Sequence, residues 1–119
     1  MSADIYWVFE LAVKDGQLEN LKSVMRELVS GTKAQEPKTL AYQWTLSADT
    51  KKCHIFEHYQ DSEAAVSHLK GFLQNWATKL LATGDATGFW VYGNPSVEAQ
   101  AILNDFGAVY MKPIGGFFR

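Results

Sequence analysis

The chain has 119 residues, of which 47% are hydrophobic and 20% charged, and a formal net charge of -2; that is the size of one compact domain with enough apolar side chains for a core. No basic run or stripe accompanies the charge, so a nucleic-acid partner is not expected, and no apolar stretch approaches the roughly 20 residues needed to cross a bilayer. The single cysteine, Cys53, cannot form an internal disulfide, and the N-terminus lacks a charged start followed by a long apolar run, so a reducing cytoplasm is the expected location.

Ile5 to Val13 is rich in β-branched and aromatic residues and reads as a strand, with Trp7, Phe9, Leu11 and Val13 on one face and Tyr6, Val8 and Glu10 on the other. Asp15-Gly16 breaks it. Leu18, Leu21, Val24, Met25, Leu28 and Val29 then recur at three- and four-residue spacing, an amphipathic helix that should end near Gly31. Gln35-Glu36-Pro37-Lys38 is a loop, because proline pushes the residue before it out of the helical region. Leu40, Tyr42, Trp44 and Leu46 alternate with Ala41, Gln43 and Thr45 as a second strand, and after a polar turn Cys53 to Tyr59 forms the return strand of a hairpin.

Asp61 is placed as an N-cap, with Glu63 in the first turn favourably set against the helix dipole. Ala64, Ala65, His68, Leu69 and Phe72 fall on one helical face, so His68 should point at the sheet rather than at water. Gly71 is a candidate bend. A further helical pattern runs through Phe72, Leu73, Trp76 and Leu80 to Gly84, and Ala86 to Tyr92 reads as a fourth strand. Pro95-Ser96 then starts a short helix closed by Gly107, followed by Ala108 to Ile114 as a strand lying along an edge of this sheet or of a partner's.

The order strand, helix, two strands, helix, strand packs most economically as two helices on one face of a four-stranded antiparallel sheet: an α+β, ferredoxin-like βαββαβ layer with a C-terminal helix and short strand. The other sheet face still holds Tyr6, Val8, Trp90 and Tyr92, which a second copy packed sheet to sheet would cover.

The layout, with Pro37-x-Thr-Leu-x-Tyr42-x-Trp44 and then Glu57-x-Tyr59-x-Asp61-Ser62-Glu63-Ala-x-x-x-His68, resembles the antibiotic biosynthesis monooxygenase (ABM) domain, a branch of the dimeric α/β-barrel superfamily. The resemblance covers roughly Ile5 to Tyr92. It implies a single ABM-like domain over 1–119, with its core at 5–92 and a C-terminal extension at 93–119. It also implies a homodimer whose sheets form a barrel, with a pocket in each subunit between sheet and helices. Some members of such a family oxidise quinols or polycyclic phenols with O2 and no cofactor, others degrade haem, and fold alone does not decide between them.

For cofactor-free oxygenation the substrate supplies the electrons, so the protein must bind an aromatic, help ionise its hydroxyl and exclude water. His68 is the candidate catalytic base or hydrogen-bond partner, because imidazole titrates near neutral pH. Trp7, Phe9, Tyr42, Trp44, Phe72 and Trp76 are candidates to line a flat, substrate-binding aromatic site, although aromatics at such spacing also serve as plain core. Glu57 and Tyr59 share a strand face, match the resemblance best and join the substrate-binding candidates; their structural alternative is a hydrogen-bonded junction beneath the helix.

Other chemistries fare worse. His54 and His58 share a strand face, but four residues at about 3.3 Å each hold them too far apart to chelate one ion, so no metal is expected. Cys53 and His54 project to opposite faces, against a thiolate–imidazole pair. The haem-degrading branch, as the resemblance implies, needs an asparagine on the first strand and a tryptophan and a histidine on the second helix. Those places hold Phe9, His68 and a residue near Thr78, with Asn75 and Trp76 close by, so haem degradation is disfavoured. Cys53 to Tyr59 lacks the basic and glycine residues of an RNA-stacking strand. The expectation is therefore a cofactor-independent monooxygenase acting on a quinol-like or phenolic aromatic. The alternative is a non-catalytic dimeric barrel that binds a hydrophobic small molecule or acts as an accessory subunit.

Overall fold

The computed structural model describes residues 3–119. Its elements are β1 (Ile5–Val13), α1 (Leu18–Gln35), β2 (Thr39–Leu46), β3 (Lys52–Tyr59), α2 (Ser62–Asn75), α3 (Ala77–Leu81), β4 (Gly84–Tyr92), α4 (Val97–Leu103), a 3-10 turn (Asn104–Phe106) and β5 (Val109–Met111). The sheet runs β2-β3-β1-β4-β5. Its first four strands pair antiparallel, as expected from the hairpin and the alternation of β1. The fold is the expected α+β ferredoxin-like layer, and within one chain the sheet stays open rather than closing into a barrel.

The period of two along β1 decides which residues are inside. Ile5, Trp7, Phe9 and Leu11 are all buried, and the register places Trp7 between Glu57 and Val91, and Phe9 between Ile55 and Phe89. Leu21, Val24 and Leu28 of α1 and Ala65, Val66 and Leu69 of α2 close the core from the helix side. Leu103 and Ala99 of α4 join the same core, so the C-terminal extension is packed on it rather than appended to it. Fully burying a side chain of this size contributes about 1.5–3 kcal/mol, so the C-terminal helix adds measurably to stability.

Helix ends follow local chemistry. The Asp61 Oδ1 accepts a hydrogen bond from the Ala64 N–H at 2.8 Å, the cap its sequence position announced. Ser96 caps α4 in the same manner through the Ala99 N–H, and the Ser96 N–H itself donates to Ser62 Oγ at 2.9 Å, which ties the start of α4 to the start of α2. Gly107 adopts φ +74° as the chain leaves the 3-10 turn, a conformation that a side chain resists.

Four boundaries differ from expectation. Gly31 does not stop α1, which runs to Gln35, because Leu28 and Thr32 still bury against the sheet and tertiary packing outweighs one poor helix former. Gly71 neither ends nor splits α2; the break falls at Trp76, whose φ of -128° and ψ of -25° leave the helical region. Gly84 opens β4 instead of ending a helix, since its amide pairs opposite Val13 and a Cβ there would meet the Ala12 carbonyl oxygen at 2.8 Å. The expected C-terminal strand takes the edge of its own sheet, where β5 lies parallel to β4. That strand ends at Met111, short of Ile114, because Pro113 lacks the N–H a continuing ladder would need.

The outer sheet face carries Tyr6 stacked on Tyr92 with centroids 5.0 Å apart, and Phe118 from the tail meets Tyr6 edge-on at 5.4 Å. Cys53 is buried among apolar neighbours, and burial pushes its thiol up to about 11, so it behaves as a small apolar side chain. Among the described residues no helix is long and apolar enough to cross a membrane.

Gly31 and Gly71 both lie inside helices, and no other atom lies within 4 Å of the place a Cβ would occupy. Gly31→Ala and Gly71→Ala are therefore each expected to stabilise the fold by about 0.5–1 kcal/mol, read as a melting temperature raised by roughly 2–6 °C; a lower melting temperature would show that the open space is needed by the fold.

Candidate active site

Three elements converge on one side chain. His68 sits on the inward stripe of α2 and is only 5% exposed. Glu36, the residue that follows α1, approaches from one side, and Glu57 on β3 approaches from the other. The His68 Nδ1–H donates to Glu36 Oε1 at 2.9 Å, and Nε2 lies 3.2 Å from Glu57 Oε1. Glu57 Oε1 also accepts the Tyr59 hydroxyl at 2.6 Å, and Glu36 Oε1 accepts the Thr39 hydroxyl at 2.9 Å. The imidazole is thus a bridge between two carboxylates, each held by a hydroxyl of its own.

Both ring nitrogens face carboxylate oxygens, an arrangement that favours hydrogen on both and hence the imidazolium form. Burial opposes that charge, but the bonds to Glu36 and Glu57 and their negative charge outweigh it and push the His68 pKa up to about 9. Burial likewise works against ionised Glu36, yet His68 and Thr39 hold its carboxyl below the usual value. The Tyr42 hydroxyl is pushed far above its ordinary range by burial and then by Glu57, as is that of Tyr59, so both phenols stay neutral.

An inner pocket of about 30 Å³ opens beside this bridge, lined among others by Trp7, Phe9, Tyr42, Glu57, His68 and Phe72. Such a space holds about two waters. Six of the nine residues expected at a site therefore do meet in one place. Tyr59 stands one layer below, supporting Glu57, with its ring 4.8 Å from that of Trp7 and 5.4 Å from His68. Trp44 is off the pocket, edge-on to Tyr42 at 5.9 Å, and its Nε1 is buried without a hydrogen-bond partner among the described residues. Trp76 is also off it, on the wall of an outer cleft between α1 and the α2–α3 pair.

Sequence reasoning missed Glu36 and the apolar wall of Ile55, Leu69, Leu80, Phe89 and Phe106. The wall was visible as alternating core positions. Glu36 is 32 residues from its partner and sits in a loop; its only sequence signal was a carboxylate directly before a proline at a helix exit. His54 and His58 are engaged elsewhere, each 2.7 Å from a different carboxylate, Glu10 and Asp4.

The family of antibiotic biosynthesis monooxygenases matches the chain over residues 4–72, which include the bridge and all six of the expected residues that line the pocket, from Trp7 through Phe72. The whole chain is similar in fold to MupZ from Pseudomonas fluorescens, with a TM-score of 0.86 at 17% identity, covering 100% of this chain and 91% of that one. A conserved protein from Methanosarcina mazei Go1 gives 0.68 at 15% identity, over 76% of this chain and 91% of that one. SnoaB from Streptomyces nogalater, a cofactor-independent oxygenase, gives 0.66 at 18% identity, over 81% and 97%. No curated protein matches the sequence.

The raised His68 pKa makes stability depend on pH in a defined direction. The folded value of about 9 lies above the model-peptide value of 6.5, so the contribution is fully present below about pH 6.5 and is lost as pH rises toward 9. A stability that declines over that window by on the order of 3 kcal/mol at most, read as a falling melting temperature, is expected for the parent chain. His68→Gln should flatten the decline, and an equal slope in both proteins would refute the bridge.

Proposed function

The chain belongs to the antibiotic biosynthesis monooxygenase family, and we propose that it is a cofactor-independent monooxygenase that oxidises a quinol-like or phenolic aromatic small molecule with O2. The observation that carries the reading is the Glu36–His68–Glu57 bridge at the edge of an aromatic pocket. For a phenol bearing a free ring C–H, the overall change is phenol plus O2 to quinone plus water, with all electrons drawn from the substrate. The reading needs no cofactor.

Within this proposal each residue has a task. Trp7, Phe9, Tyr42 and Phe72 offer ring faces and edges to an aromatic and keep water out. Glu57 is the acceptor on the pocket side and takes the hydroxyl proton. His68 starts as imidazolium and stabilises the resulting phenolate by charge and by its Nε2–H. The phenolate gives electrons to O2, and the peroxide formed on the attacked ring carbon takes the His68 Nε2 proton to become a hydroperoxide. That carbon then gives its own proton back to His68 as the O–O bond breaks, one oxygen remains as the carbonyl, and the other leaves as hydroxide that the proton from Glu57 converts to water. His68 therefore acts as a proton donor and electrostatic partner, with Glu57 as the base.

The resting imidazolium favours one second reading: an acid–base enzyme on a small molecule without O2, in which the His68 Nε2–H protonates the substrate. We further propose that the 119 residues act as one domain in a reducing cytoplasm and pair as a homodimer through the outer sheet face around Tyr6 and Tyr92, with the tail beside it.

Oxygen uptake with a panel of quinols tests the reaction. The parent chain should consume O2 with at least one of them, and His68→Ala and Glu57→Gln should each lower kcat about 100-fold or more. Absence of uptake across the panel, or unchanged turnover after His68→Ala, sinks the oxygenase mechanism; conversion of a substrate at an undiminished rate under argon selects the second reading. The dimer is tested separately by size-exclusion chromatography with light scattering at micromolar concentration. Twice the chain mass is expected, and a monomer would contradict the pairing.

A further inference from the structure

The inner pocket is too small for the molecule just proposed. Small-molecule sites usually enclose about 300–1,000 Å³, against about 30 Å³ here. Outside it, between α1 and the α2–α3 pair, lies a cleft of about 500 Å³. His68 and Phe72 line both spaces and so form the partition between them. Phe72 is the less constrained of the two: it is half-buried and lies nearly parallel to the His68 ring with centroids 6.5 Å apart. His68, by contrast, is pinned by two carboxylates.

Both helices that wall the cleft carry an interior glycine on it, Gly31 in α1 and Gly71 in α2. Glycine is among the poorest helix formers, and neither position is explained by close packing, since open space surrounds the site of each missing Cβ. Neither glycine has a positive φ. What the two positions share is that a side chain on either would fill the cleft.

We propose that this cleft is the way in to the pocket and the binding site for the part of the substrate that stays outside it, a neutral hydrogen-bonding arm on the reacting ring, with Gly31 and Gly71 keeping the space open. The inference rests on the reading of the pocket as the site of an aromatic substrate. Neutrality follows from the charges on the walls. Glu27 and Glu36 oppose an anionic arm, while Lys79, 5.0 Å above the Trp76 ring, and the positively charged His68 ring balance them and oppose a cationic one. Gln35 and Asn75 add uncharged amides on the two sides, and Trp76 adds a ring face.

Three probes test the assignment under anaerobic conditions: 1,4-dihydroxynaphthalene, the same ring bearing a tri(ethylene glycol) arm, and the same ring bearing a carboxyalkyl arm, each followed by isothermal titration. The neutral arm should lower Kd about tenfold relative to the bare ring, and the carboxyalkyl arm should not. Gly31→Met and Gly71→Met place good helix formers in open space, so both should melt no lower than the parent, yet each should lose about tenfold or more in affinity for the neutral-armed probe. Unchanged affinity in both methionine variants overturns the proposal, as does an armed ring that binds the parent no more tightly than the bare one. In either case a bare ring that still binds and consumes O2 leaves the oxygenase reading standing. If no ring binds the parent chain, the aromatic reading falls and this inference falls with it.

Discussion

The helix layer is fastened to the sheet at one polar point, the imidazolium of His68 between Glu36 and Glu57. Each of the three residues belongs to a different element: the exit of α1, the inward face of α2, and the inward side of β3. Apolar packing sets the distance between layers but not their register, because dispersion is non-directional. The two contacts at 2.9 and 3.2 Å are directional. They tie the exit of α1 to α2 and fix the rotation of α2 about its axis.

Stability alone does not account for this bridge. Taking charges out of water costs several kcal/mol per ion, and well-packed apolar residues of similar volume often serve a fold as well or better. The cluster here carries one more negative charge than positive. Tyr59 and Thr39 reduce the cost by donating to the carboxylates, and Glu36, whose side chain is 29% exposed, keeps part of its hydration. What the arrangement supplies that an apolar one cannot is a proton held ready on a buried ring, with an acceptor on each side. That property is the reason to place chemistry here rather than at His54 or His58, which pair with single carboxylates on or near the solvent face.

Much of this was legible in the chain. The spacing of Ala64, Ala65, Leu69 and Phe72 turned His68 inward, Asp61 announced the start of its helix, and the alternation of β1 named Trp7 and Phe9 as inner residues; each is a local periodicity that burial enforces. Glu57 and Tyr59 were visible as a pair because they are two residues apart on one strand. Glu36 was not, since nothing local marks a carboxylate whose partner lies on another helix. Glycine misled three times, at Gly31, Gly71 and Gly84, because its low helix propensity is a weak prior that packing and strand pairing override. The parallel pairing of β5 was likewise out of reach, for a short segment after a helix can join either its own sheet edge or a partner's with the same side-chain pattern.

The partition of His68 and Phe72 gives the two spaces different electrostatics, and the bridge spans that difference. On the pocket side, apolar walls exclude water, so the interaction between an imidazolium and a nearby phenolate is much stronger than in bulk solvent. On the cleft side, Glu36 is wet enough to exchange protons with water. In the proposed mechanism a proton taken up at Glu57 has a path through the His68 ring to Glu36 and so to solvent. Charge would then cross the wall through the ring and its two carboxylates while admission of the substrate falls to Phe72, so that ionising an aromatic and letting it in belong to separate residues.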